Sequence, residues 1–230
     1  MNYDIASNIL YEDNHVIVVI KPPGVLSQAD GKDIPDMLTL IKAYIKVKYD
    51  KPGDVFLGLV HRLDLNVGGV MVFARTSKGA SRLSEAIKTH EFKKEYYAVL
   101  NGFIPSYQSD TLTDFISKDE DPRMGVVTDF DDGKPATLHY TVIGHKQLHD
   151  KTVTLVHVEL ISGRFHQIRL QFSSRNLPLV GDSKYGGTIS KHQNELGLYA
   201  FRLSFPHPIT KTMMTFEKLP DSPLFNQFLP

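Results

Sequence analysis

The sequence predicts a mixed α+β protein, and three observations lead there. Short apolar runs that read as strands, such as residues 16–20 and 70–74, alternate with segments of helical periodicity in the first half of the chain. From Ala136 onward strand-like runs dominate. No internal repeat, low-complexity tract or flexible linker interrupts the 230 residues. A chain of that length can bury a sizeable core, as one large domain or two closely joined lobes. A single domain over 1–230 is the expectation.

The elements follow in order. Residues 16–20 form a buried strand, stopped by the rigid turn Lys21-Pro22-Pro23-Gly24. Residues 35–48 form a helix, with Leu38, Ile41 and Ile45 at helical spacing and Asp36 near its start. Residues 70–74 are a second strand. Ser77 then reads as the N-cap of a helix running to about His90, with Ala80, Leu83 and Ile87 inward. Residues 96–100 are a strand. The Asp-rich stretch 117–133, with Pro122 and two glycines, reads as a surface loop or hairpin. Residues 138–143 and the alternating run 153–161 are strands. Residues 165–174 read as a short helix with Phe165, Ile168 and Phe172 on one side, and Gly186-Gly187 breaks the chain. Residues 198–205 and 213–216 are late strands, separated by Pro206 and Pro208.

Bulk properties narrow the function classes. Hydrophobic residues make up 41% and charged residues 23%, ordinary for a globular protein, and no stretch nears the roughly 20 apolar residues of a membrane span. The start Met1-Asn2-Tyr3-Asp4 lacks the basic-then-apolar pattern of a secretory signal, so a cytoplasmic location is expected. The chain has no cysteine, which excludes disulfides and thiolate metal sites. Formal net charge is zero but unevenly spread. Residues 75–94 carry six Lys/Arg against two Glu, net +4, and residues 161–191 carry five against one Asp, net +4. Residues 109–132 carry eight acids against two cations, net −6. Such segregation suits a polyanion-facing side, and ordinary solvated faces explain it as well.

Four groups of residues could carry chemistry. His61-Arg62-Leu63-Asp64 lies between the apolar run Leu57-Gly58-Leu59-Val60 and the segment Gly68-Gly69-Val70-Met71-Val72-Phe73-Ala74. The apolar runs demand burial, so the charged quartet is either solvated at a loop or held in a site. Asp64 is therefore the leading candidate for a functional carboxylate, as nucleophile, base or half of a buried Asp–Arg pair. In Ser162-Gly163-Arg164-Phe165-His166-Gln167-Ile168-Arg169, His166 and Arg169 share a helix face, and Arg169 can offer a planar fork to a carboxylate or phosphate. A satisfied structural histidine explains His166 equally well. In Lys93-Lys94-Glu95-Tyr96-Tyr97 the two tyrosines face opposite ways on a strand. One of them can line a pocket and stack on a base, or both can be core. The turn-rich run Leu179-Val180-Gly181-Asp182-Ser183-Lys184-Tyr185-Gly186-Gly187 points nowhere by itself.

Together and in this order, these pieces resemble the RluA-like family of RNA pseudouridine synthases. The resemblance rests on Ile9-Leu10-Tyr11-Glu12-Asp13, Lys21-Pro22-Pro23-Gly24, His61-Arg62-Leu63-Asp64 with Gly69, and Phe73-Ala74-Arg75-Thr76. It continues through Lys94-Glu95-Tyr96-Tyr97-Ala98, Gly163-Arg164-Phe165-His166-Gln167-Ile168-Arg169, Pro178-Leu179-Val180-Gly181-Asp182 and Tyr185-Gly186. It covers residues 9 to about 205.

The resemblance implies a curved mixed, mainly antiparallel sheet with flanking helices and a central catalytic cleft. It implies that Asp64 is the catalytic carboxylate, Tyr96 rather than Tyr97 the active-site tyrosine, and Arg169 the basic partner of Asp64, with Arg164 the lesser candidate. Arg62, His61, Arg164 and His166 are implied as contacts to substrate RNA. Ribosomal RNA is the favoured partner and transfer RNA the next. No cofactor, metal or membrane is implied, and a monomer is expected. Two departures stand out. Val67-Gly68-Gly69 replaces the hydroxyl-bearing run that often follows the aspartate, and Leu65 stands where a basic residue is common. A separate N-terminal RNA-binding domain is not expected, and RNA recognition is then expected to fall to the basic segments. Two other classes compete: a catalytically silent RNA-binding protein on the same fold, and a hydrolase pairing Asp64 with a second carboxylate. The joint presence of Asp64, Tyr96 and Arg169 speaks against the first, and the lack of a local acidic partner against the second.

Overall fold

The computed structural model describes residues 3–31, 34–121, 123–148, 150–187 and 195–229. Lys191 of the second basic segment and Pro122 of the acidic stretch lie outside the described residues. In chain order come β1 (Ile9–Glu12), β2 (Val16–Lys21), α1 (Met37–Lys48), the two-residue β3 (Gly58–Leu59), β4 (Gly68–Ala74) and α2 (Ser77–Lys88). Then follow β5 (Lys93–Asn101), β6 (Ser109–Lys118), β7 (Gly125–Thr128), β8 (Lys134–Leu148), β9 (Lys151–Leu160), α3 (Gln167–Ser173), β10 (Leu198–Pro206) and β11 (Met213–Glu217). The class is the expected α+β, with mainly antiparallel strand pairing and helices beside the strands.

The chain divides into two compact units. The first comprises Met1–Lys93 and Ala200–Lys218. Its strands run in the order β1-β2-β4-β10-β11, with β3 on β4. The β2–β4 pairing sets Val16 opposite Ala74 and Lys21 opposite Gly69. Every residue of β4 is buried, and so is nearly every residue of β2. Both faces are therefore covered, which is why these strands read as continuous apolar runs rather than alternating ones. Their core joins Val16, Val18, Val70, Val72, Leu83, Phe92, Leu203 and Phe205.

Two helices serve this unit. Asp36 caps α1 as its position suggested, its carboxylate accepting from the Thr39 N–H at 3.0 Å. The buried stripe is Met37, Ile41 and Ile45; Leu38 is only half-buried. The cap of α2 is Thr76, one residue before the expected Ser77, and its hydroxyl accepts from the Gly79 N–H at 3.0 Å. Thr76 keeps extended backbone (φ −138°) while Ser77 is already helical. Leu83 and Ala86 are buried, and Ala80 and Ile87 pack against the same core.

The second unit comprises Lys94–Tyr199 and Leu219–Pro230, with strand order β5-β9-β8-β6-β7. All of these pairings are antiparallel. Strand alternation separates two faces. Tyr96 lies opposite Val158, which lies opposite Tyr140, and Lys94 opposite Leu160, which lies opposite Leu138. On that face Phe172 of α3 meets Tyr140 edge-on, with ring centroids 5.4 Å apart. The other face carries Tyr97, Val99 and Leu155, packed with Val180, Leu224 and Phe225.

The acidic stretch forms the turn of the β6–β7 hairpin and the β7–β8 connection. Strand β6 has no counterpart among the strands the sequence predicts. Of its ten residues only Leu112 and Ile116 are buried, too thin an apolar signal to separate it from loop. Helix α3 starts at Gln167 rather than Phe165, because His166 takes a left-handed backbone (φ 50°, ψ 26°) and cannot continue a helix backward.

Candidate active site

In the first unit, Asp64 opens a tight turn whose Val67 N–H returns to the Asp64 carbonyl at 3.1 Å. Both of its neighbours are pinned. The Ser27 hydroxyl donates to the Leu63 carbonyl at 2.8 Å and accepts from the Leu63 N–H at 3.0 Å. On the other side the Leu65 carbonyl accepts from Gly24 N–H at 2.8 Å and from Lys21 Nζ at 3.1 Å. The same ammonium also donates to the carbonyls of Val25 at 2.6 Å and Pro22 at 3.0 Å. Lys21 is wholly buried. Burial pulls its ammonium down to about 7, and the negative charge of Asp64 works against that drop. The Lys-Pro-Pro-Gly turn is thus the mould that shapes the Asp64 loop.

The remaining members of the quartet divide. His61 is turned inward: its Nε2 accepts from the Val72 N–H at 3.1 Å, and its ring meets Phe92 at 5.2 Å. Arg62 is exposed. Gly69 has a steric reason. Its φ is +133°, and a Cβ there would lie 2.2 Å from the Ala200 carbonyl oxygen. Gly69 therefore serves a close backbone approach that no residue with a Cβ could make.

In the second unit, Tyr96 projects from β5 and is 6% exposed. Arg169 is held by α3 and is 7% exposed. Its Nε donates to Asp182 Oδ2 at 2.7 Å and its Nη2 to Oδ1 at 2.8 Å, a two-pronged pair with a fully buried carboxylate. The guanidinium also lies over the Tyr185 ring, 5.0 Å from its centroid. The Tyr185 hydroxyl accepts from Gly125 N–H at 3.0 Å and bonds His166 Nδ1 at 2.7 Å. His166, Arg169, Asp182 and Tyr185 thus form one connected cluster. Asp182 was invisible as a functional residue in the sequence, where it sits in a turn-rich loop thirteen positions from its partner; only the resemblance touched it.

Helix α3 is bolted down by amides as well as apolar packing. Gln167 donates to the Thr137 carbonyl at 3.1 Å and accepts from the Arg164 N–H at 3.0 Å. Gln171 donates to the Ala136 carbonyl at 3.1 Å and to Asp114 at 2.8 Å. Arg164 donates from Nε to the Pro135 carbonyl at 2.9 Å. Among the described residues no group of three or more His, Asp or Glu side chains is arranged to hold a metal ion, and no helix is long and apolar enough to cross a membrane.

Comparison with known proteins places the fold first. Two human solved structures, RNA Pseudouridylate Synthase Domain Containing 4 and Domain Containing 1, superpose with TM-scores of 0.75 and 0.72 at 22% identity. The first match covers 98% of this chain and 92% of that one, the second 93% and 83%. The architecture is therefore that of a pseudouridine synthase. The family model for RNA pseudouridylate synthase matches residues 15–174, a span that holds Asp64, Tyr96 and Arg169, and the chain belongs to that family. Among curated relatives, the Ribosomal large subunit pseudouridine synthase D of Yersinia pestis is 34% identical over 92% of this chain and 66% of its own length. Its namesakes in Neisseria meningitidis (serogroup A) and Escherichia coli K12 are 33% and 32% identical over 94% and 90% of this chain, and 59% and 65% of theirs. The chain thus spans roughly three fifths to two thirds of the length of these relatives.

Proposed function

We propose that this chain is an RNA pseudouridine synthase that isomerises uridine in structured RNA, ribosomal RNA first and transfer RNA next. The observation that carries the reading is the family match over residues 15–174 together with the restrained loop at Asp64. The ribosomal preference follows from the names of the curated relatives. The reading includes one catalytic domain over both units, a monomer, a cytoplasmic location, and no metal or cofactor.

The reaction breaks the N1–C1′ bond of uridine, turns the uracil and joins C5 to C1′; C5 gives up its proton and N1 takes one up, so the product is an isomer of uridine. The target base is inaccessible inside a helix and is flipped out. Asp64 attacks C1′ or takes a proton at C2′. Tyr96 stacks on the uracil or assists removal of the C5 proton. Arg169 keeps the catalytic carboxylate ionised and oriented, a task for a fixed cation, and its own seat against Asp182 and Tyr185 gives it that fixity. Arg62, His61, Arg164 and His166 complete the assignment as RNA-side residues; of these, Arg62 is exposed and Arg164 half-buried, while His61 is turned inward.

The test is tritium release from C5-labelled uridine in bulk ribosomal and transfer RNA, with Asp64→Ala alongside. Wild type is expected to release tritium and Asp64→Ala to lose at least about 1,000-fold in rate, a loss of the size seen when an essential group is removed. No release from either RNA by wild type would favour the silent RNA-binding reading. Equal release by Asp64→Ala would overturn the assignment of Asp64.

A further inference from the structure

Lys94 begins the inward-facing row of β5, two residues before Tyr96 and opposite Leu160. Its ammonium lies against Gly163, where an added Cβ would be only 2.9 Å from Nζ. The next residue is Arg164, whose one side-chain hydrogen bond goes from Nε to the Pro135 carbonyl. Among the described residues Lys94 Nζ has no acceptor, and the two terminal nitrogens of Arg164 have none either. Two cations thus stand together without a counter-charge, beneath an exposed glycine that leaves the approach open. Burial pushes the Lys94 ammonium down to about 8, and the neighbouring Arg164 pushes in the same direction. A protein gains nothing in stability from such an arrangement. An anion seated between the two cations would reverse the penalty.

We infer that Lys94 and Arg164 form a phosphate subsite that holds one phosphodiester of the RNA strand, with Gly163 as its open rim. The inference rests on the RNA-modifying reading and deepens it. Lys94 and Tyr96 point to the same side of β5, about 7 Å apart along the strand, which is the reach of a single nucleotide. A phosphate gripped at Lys94 would therefore set the register of the strand whose base meets Tyr96. The subsite supplies no base specificity, because phosphate contacts position and base contacts specify. A side chain at 163 would push the flexible Lys94 ammonium aside and so reshape the subsite.

The first measurement follows the Lys94 side-chain Cε resonance in protein with labelled lysine, assigned by its loss in Lys94→Met. Uridylyl-(3′→5′)-uridine and inorganic phosphate are expected to shift it. Uridine, and chloride at the same ionic strength, are expected to leave it in place. No shift with the dinucleotide, or an equal shift with chloride, would overturn the subsite. The second measurement is binding of a ribosomal RNA fragment across salt concentrations. Removing one phosphate contact lowers the slope of log K against log salt by about 0.7. The advantage of wild type over Lys94→Met should then shrink about fivefold between 0.1 and 1 M salt. A purely structural lysine would lower the melting temperature and leave that slope unchanged, which would also overturn the proposal. The two readings fail separately. Tritium release tests the chemistry, and a Lys94 shift without tritium release would sink the enzyme reading while keeping the subsite.

Discussion

Lys21 is a cation enclosed by three carbonyls and no bulk water. Its ordinary value is 10.5 and burial brings it to about 7. Below about pH 7 folded and unfolded chains both hold the proton, and the burial cost is at its full size. Between about 7 and 10.5 the unfolded chain still holds a proton that the folded chain has released, so stability rises with pH across that window. Lys21→Met has no such group. The stability of wild type relative to that variant should therefore increase from pH 7 to pH 10, as read by urea unfolding at several pH values. Parallel curves for the two proteins would show that the ammonium is not titrating there. Gly69 stands where only a residue without Cβ fits against Ala200, and Asp182 neutralises a buried guanidinium that would otherwise carry an uncompensated charge.

At the scale of elements, the two helices of the first unit were legible because their signals are local: an oxygen-bearing cap and an apolar stripe of helical period. The cap of α2 was misplaced by one residue because Thr76 and Ser77 are chemically equivalent candidates, and only backbone angle separates them. The central strands were legible because burial on both faces makes them continuously apolar. Strand β6 was not, because a half-solvated strand with two buried side chains looks like loop. The candidate site splits along the same line. The motif residues could be picked from the chain, but what holds them could not, since Ser27 reaches Leu63 across 36 positions and Lys21 reaches Leu65 across 44. Ser27→Ala leaves the buried Leu63 N–H without its acceptor, at a cost of about 1–3 kcal/mol. The turn carrying Asp64 would then lose one of its two anchors. Steady-state kinetics on a uridine-bearing RNA should show kcat lower by about 10- to 100-fold, since small misplacement of a reacting group costs that much, with KM changed little. A rise in KM at constant kcat would instead mean that the loop mainly binds RNA.

Across the whole molecule, charge is sorted by place. The acidic stretch read from the sequence as the counterpart of a polyanion-facing side has a definite position: it flanks β7, the last strand in the order of the second unit. Strand β7 has four residues; its own Val126 and the following Phe130 are exposed. A terminal strand offers unpaired N–H and C=O groups to any passing chain. Asp119, Glu120, Asp121, Asp129, Asp131 and Asp132 surround it. Replacing Asp119, Asp129, Asp131 and Asp132 by Ser should leave the melting temperature within about 2 °C, as expected for surface positions. The same variant should scatter light at protein concentrations where wild type stays clear; equal clarity would show that the acids have no such role. Repulsion between copies would then be what this hairpin contributes. The hairpin carries its own negative charge at a strand edge where two molecules could otherwise zip together.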